Sequence, residues 1–161
     1  MTSGSPGAAL ERTWRIAHLV WLLGVGFASA VWVGLPLLLV RAASPGPSQS
    51  LIVVVFSAVG IVDVGLGWWF KRRALDASTH AQARSLDEAA GAIASQSLVA
   101  AVMPVTPAVL GAFAYVFTGS LAALSLLCAV GIGGSVFLRP RLEEWQETLR
   151  GISISDARRP S

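Results

Sequence analysis

Four long apolar runs divide the chain, and the polar residues fall almost entirely between them. The first, Ile16 to Val40, lies between Arg15 and Arg41 and holds no Asp, Glu, Lys or Arg. The second, Leu51 to Phe70, holds one charge, Asp63. The third runs from about Ala89 to Phe117 and the fourth from Leu121 to Leu138. A hydrocarbon core about 30 Å thick is crossed by roughly 17–25 apolar residues in a helix, and each run is long enough. Lipid offers backbone groups no partners, and four strands cannot close a barrel, so the runs are expected to be helices. The pattern predicts an all-α integral membrane bundle. Its four transmembrane helices are expected at about 16–40, 51–70, 86–117 and 121–138, making a membrane domain over 16–138.

The links set the order. Ala42 to Ser50 is a short Pro/Gly/Ser stretch, and Phe117 to Ser120 is tighter still. Short links favour antiparallel neighbours, so the chain reads as two hairpins joined by the longer stretch from Lys71 to Glu88. Residues 1–15, rich in Ser and Gly at their start, read as a flexible tail. The first apolar run is too long for the core of a signal peptide and is expected to be a span.

Composition agrees with this picture. Of 161 residues, 54% are hydrophobic and 13% charged, about half of the roughly 25% that a soluble domain carries. The formal charge of +3 is too small to suggest a nucleic-acid partner. The placement of the cations says more. Arg12 and Arg15 precede the first run, and Lys71, Arg72, Arg73 and Arg84 lie between the second and third. Arg139, Arg141, Arg150, Arg158 and Arg159 follow the fourth, and only Arg41 lies on the other side. An 11 to 1 division of Lys and Arg predicts a multi-pass protein of the cell (inner) membrane with both termini cytoplasmic.

Local signals refine the third run. Ser85 and Glu88 have the spacing of a capping box, so this helix is expected to start before it enters the membrane. Pro104 and Pro107 interrupt it near its middle. Each removes a backbone donor, which leaves the carbonyls of Ala100 and Met103 without their usual partners. Gln96, Ser97 and Thr106 lie close by in sequence. Two readings stand: a proline kink of the kind common in membrane helices, or a hinge or ion-coordinating site.

Asp63 is the one acid inside an apolar run. It lies eight residues before Lys71, about 12 Å along a helix, too far for a short side chain to reach the interface easily. An ionised Asp near the middle of a span costs about 2.5–3.5 kcal/mol. The acid is therefore expected either to be protonated by desolvation or to face a polar partner. Gly60, Asp63 and Gly67 share one broad helix face, which points Asp63 into a helix contact. Matching depths in an antiparallel bundle places it near Ser97 to Ala100. A protonated Asp63 would then donate to the Ala100 carbonyl and join the hairpins. The sharper reading makes Asp63, with Gln96, Ser97 and Thr106, a proton or cation site.

The remaining signals concern packing. Gly24, Gly26, Ala28 and Ala30, with Gly60 and Gly67, are expected at close helix contacts. Trp14, Trp21, Trp68, Trp69 and Trp145 fall near the cytoplasmic interface, where indole rings anchor, and Trp32 lies deeper. In the cytoplasmic tail, 139–161, Leu142, Trp145, Leu149 and Ile152 recur at helical spacing. They predict a short amphipathic segment resting on the membrane surface. His18, His80 and the single Cys128 do not make a metal or haem site, and no cofactor is expected.

KRR at Lys71–Arg73, TPAVLGAFAYVFTG at Thr106–Gly119 and LRPRLEEW at Leu138–Trp145 give the chain a layout that resembles uncharacterised small bacterial four-helix membrane proteins. The resemblance implies the same double-hairpin fold and no known activity. Some of those proteins carry Glu where this chain has Val105. GVGFASA at Gly24–Ala30 and FSAVGIVD at Phe56–Asp63 are similar to the proteolipid (c) subunits of rotary ATPases. That resemblance implies that Asp63 is an ion carrier. The hairpin loop of those subunits is cytoplasmic, whereas the charge pattern here places Ala42–Ser50 outside.

No nucleophile and base can be paired along the chain, so no enzyme is expected. The main expectation is a non-enzymatic subunit or scaffold of a membrane complex, or a homo-oligomer. The alternative is a proteolipid-like proton or cation coupling protein that uses Asp63.

Overall fold

The computed structural model describes residues 6–39, 47–76, 80 and 85–157, and their regular structure is helical. The helices are α1 (Pro6–Leu38), α2 (Pro47–Leu75), α3 (Leu86–Val102), α4 (Val105–Thr118), α5 (Leu121–Leu138) and α6 (Leu142–Ala157). Four stretches are long and apolar enough to cross a membrane: Leu10–Leu38, Ser50–Leu75, Glu88–Thr118 and Leu121–Leu138. Met1–Ser5, Arg41 with most of the first link, Arg84, Arg158 and Arg159 lie outside the described residues.

α1 begins ten residues before the first apolar run. Proline suits a first helical turn, where no amide partner is needed. Leu10, Trp14 and Ala17 then recur on one face. Leu10 and Ala17 are buried with Ile93, Ala94 and Trp145. The expected flexible tail is therefore helical from Pro6 onward, because other elements give its apolar stripe a surface to cover. α2 likewise extends past Phe70, so Lys71, Arg72 and Arg73 lie on a helix rather than in a loop. Two of them fall in its last turn, where cations meet the negative end of the helix dipole.

The third apolar run is two helices. α3 is capped by Ser85, whose hydroxyl accepts from the Glu88 amide at 3.2 Å. It ends at Val102, and α4 starts at Val105. Pro107 cannot donate to the Met103 carbonyl, and the Thr106 amide does so instead, at 3.2 Å, in a tighter turn. α4 closes on Gly119, whose φ of 67° is the left-handed conformation that glycine adopts without strain. Ser120 then caps α5 by accepting from the Ala123 amide.

α3, α4 and α5 form the centre of the bundle. α1 packs on all three, and so does α2, yet α1 and α2 share almost no contact among the described residues. The expectation that a short link makes them packed neighbours is corrected. Their small-residue faces turn instead to the central helices: Gly24 meets Val105, Gly60 meets Leu127 and Pro107, and Gly67 meets Leu138 and Met103. Of the most apolar stretches, 11% is buried in α1 and α2 but 44% in α3–α4 and in α5. The outer helices thus expose Leu23, Val33, Leu37, Leu51, Val54 and Ile61.

α6 lies across one end of this bundle. Trp145 is only 1% exposed, enclosed by α1 and α3 residues with Leu142 and Leu149 of its own helix beside it. Ile152 is buried as well. The apolar face expected to rest on lipid is therefore turned onto protein, because Leu10, Ala17 and Ile93 offer it a complementary surface.

Candidate functional site

Asp63 sits on α2 between two tight helix contacts. A Cβ added at Gly60 would lie 3.3 Å from Pro107, and one at Gly67 would lie 3.0 Å from Met103 and 3.5 Å from the Ala100 carbonyl oxygen. Asp63 is therefore level with the α3–α4 break. Its neighbour Val64 packs against Gly134 of α5. Asp63 itself is half-buried and makes no hydrogen bond or ion pair among the described residues. The bond expected to the Ala100 carbonyl is absent; it is Gly67 that faces that oxygen.

The expected polar cluster does not assemble around Asp63. Gly60 touches Pro107, which places Asp63 three residues along α2 and Ser97 ten residues back along the α3–α4 run. The difference of seven residues, at about 1.5 Å each, separates their levels by roughly 10 Å. Asp63 is thus about two turns deeper than Ser97, so the match to Ser97–Ala100 is corrected. Ser97 Oγ and Gln96 Oε1 are buried without partners, each a place where ordered water is expected. Thr106, half-buried, lies at the level of Asp63, and its amide closes the turn at the break. Pro104 and Pro107 are both buried in the contact with α5 and α2.

The densest polar chemistry is at the α6 end. Lys71 Nζ lies 3.1 Å from Glu144 Oε2 on α6, and it donates to the carbonyls of Arg139 at 3.2 Å and Phe137 at 3.4 Å. Those carbonyls close α5, where its dipole is negative, so one ammonium hydrogen-bonds a helix end while its charge faces a carboxylate. Its side chain is 17% exposed, so this pair is worth more than a solvated one. Thr148 donates to the Leu75 carbonyl at 3.3 Å, and His80, buried, has Nε2 3.0 Å from the Ala74 carbonyl. The C-terminal end of α2 is thereby held by three separate side chains. Arg139 lies over the Trp21 ring, Arg72 over Trp68 and Arg73 over Trp69, at 5.2–5.5 Å.

Tryptophans also join α1 to α5. Trp14 Nε1 donates to the Pro140 carbonyl at 3.3 Å, Trp21 Nε1 to Ser135 at 2.7 Å, and Trp32 Nε1 to Ser125 Oγ at 3.1 Å. His18 stacks between Trp14 and Trp21. Position along the chain suggested interfacial anchors for Trp14 and Trp21 and a deeper place for Trp32; the structure gives all three a hydrogen bond to α5 or the residues just after it. Their spacing of seven and eleven residues, a helical period, was the available signal. Lys71 was legible only as a topogenic charge, because nothing local links it to Glu144.

Among the described residues, no three His, Cys, Asp or Glu side chains gather as a metal site. No family model, curated protein or solved structure matches the chain.

Proposed function

We propose that this chain is a non-enzymatic integral protein of a bacterial inner membrane, a subunit or scaffold in which α1 and α2 pack as separate outer spans on a central α3–α5 unit. The observation that carries this reading is the contrast between the sides and the end of the molecule. The sides, made by α1 and α2, are apolar and largely uncovered. The end is closed by α6 and by the Lys71 clamp. Lipid is the natural solvent for the sides, and the cytoplasm for the basic end. The contacts of Trp14 with Pro140 and of Tyr115 with the Leu39 carbonyl support alternating directions for successive spans. A complex partner or a second copy would use the outer helices, where Gly26, Gly34 and Gly65 have nothing within 4 Å.

Cysteine labelling tests this topology. In a Cys128→Ala background, Ser50→Cys should react with an impermeant thiol reagent in intact cells, and Gln146→Cys should react only after permeabilisation. Labelling of both in intact cells, or the reverse pattern, overturns the reading.

A second reading rests on one observation. Asp63 is half-buried, without a hydrogen-bond partner among the described residues, and level with the α3–α4 break. A carboxyl so placed is available to take up a proton or cation, as the similarity to proteolipid subunits also implies. Modification of Asp63 by a hydrophobic carbodiimide, slowed by protons or Na⁺, supports that reading. An inert Asp63 and proton-tight liposomes remove it.

A further inference from the structure

A groove of about 500 Å³ lies between the ends of α2 and α5, lined by Trp68, Lys71, Arg72, Leu75, Asp76 and Phe137. Its two sides differ. Phe137, 75% exposed, and Trp68 make an apolar wall that continues onto the side of the bundle. Lys71 and Arg72 make the polar end. Lys71 is committed to Glu144 and to two carbonyls. Arg72 is not: its guanidinium lies 5.4 Å from the centre of the Trp68 ring, and it donates no hydrogen bond among the described residues. The stacking holds the guanidinium beside the apolar wall, and its forked donors suit a phosphodiester.

We propose that this groove binds an anionic glycerophospholipid, with its phosphodiester on Arg72 and an acyl chain along Trp68 and Phe137. The proposal rests on the membrane reading above. Charge decides for an anionic lipid. Lys71, Arg72, Arg73, Arg139 and Arg141 cluster at these helix ends, against Glu144 and Asp76. This leaves an excess of three positive charges beside an apolar wall, and a basic pocket at the cytoplasmic end of membrane helices suits an anionic headgroup. Arg72 is the one cation of the lining not committed to a carboxylate or carbonyl among the described residues, which suits a singly charged headgroup such as phosphatidylglycerol.

The full chain, reconstituted in phosphatidylcholine vesicles, is titrated with spin-labelled phosphatidylglycerol, and the motionally restricted fraction is read. Retention in the membrane after an alkaline wash is measured first, so that a failure of the membrane reading shows itself separately. Arg72→Gln should lower the preference for phosphatidylglycerol over phosphatidylcholine about fivefold, the effect of one cation at the surface. Arg73→Gln makes the same charge change on Trp69, outside the groove, and should leave most of the preference. Equal losses in the two variants would mean a diffuse basic surface and overturn the proposal. Competition by soluble glycerol phosphate at concentrations comparable to the lipid would also overturn it, by assigning the site to a free phosphate. Phe137→Ala should shorten lipid residence; an unchanged residence removes the acyl-chain part of the assignment.

Discussion

The carbonyl oxygen of Pro104 and the Cα of Gly131 face each other where α5 crosses the α3–α4 break. A Cβ placed on Gly131 would lie 2.7 Å from that oxygen, closer than real contacts allow. The obstacle is backbone, which cannot swing aside as a side chain can. The break and the glycine therefore form one contact. Pro104 lies where the helix divides, and Gly131 lets α5 approach its carbonyl closely.

Gly131→Ala should consequently destabilise the bundle by about 1–3 kcal/mol, the range for overpacking. Gly26→Ala, with nothing within 4 Å, should be neutral or slightly stabilising. Thermal unfolding of both variants in the same detergent checks the contrast, and equal effects would show that the close approach is not made in solution.

Trp145→Ala should cost about 3–5 kcal/mol and release α6, because the ring is almost wholly enclosed by α1 and α3. Limited proteolysis should then cut within Leu142–Ile152 while the membrane helices stay intact. If α6 lay on lipid instead, bromolipids would quench Trp145 strongly; on the structure they should not.

Lys71→Met leaves the α5 carbonyls without their cation and Glu144 with only its longer contact to Arg141, 3.8 Å. A loss of about 1–3 kcal/mol is expected, with faster hydrogen exchange at the start of α6. Lys71→Arg should recover only part of it, since a planar fork does not fit three acceptors arranged around a point charge. Full recovery by Arg would mean that charge alone matters there.

Asp63→Leu should change stability by no more than about 0.5 kcal/mol, because no hydrogen bond is lost. A membrane hydrogen bond would have made the loss about 0.6–2 kcal/mol. Asp63→Asn should behave like Leu in this measurement. A clear penalty for Leu that Asn avoids would reveal a partner at Asp63.

The four apolar runs were legible because hydropathy over about 20 residues is a local property. The proline break was legible for the same reason, since Pro107 acts on its own turn. What lay beyond reach depended on neighbours distant in the chain. Leu10 read as part of a flexible tail and Trp14 as an interfacial anchor until α6 supplied a surface for them. Trp145 looked lipid-facing because an amphipathic stripe does not say whether lipid or protein covers it. Asp63 was matched to the wrong depth because the depth estimate assumed helices of equal reach. α2 runs on to Leu75, and the break shifts the register of α3 against it. Lys71 was read for its sign, and its geometry came from three acceptors on α5, the following turn and α6.

The meeting of Leu10 with Trp145 has a consequence for biosynthesis. The first described helix and the last complete one surface, although translation separates them by more than a hundred residues. While the ribosome has yet to deliver α6, the stripe of Leu10, Ala17 and Ile93 stands uncovered at the mouth of an otherwise assembled bundle. The stripe is covered only when Trp145 arrives, so this end of the bundle closes late in synthesis.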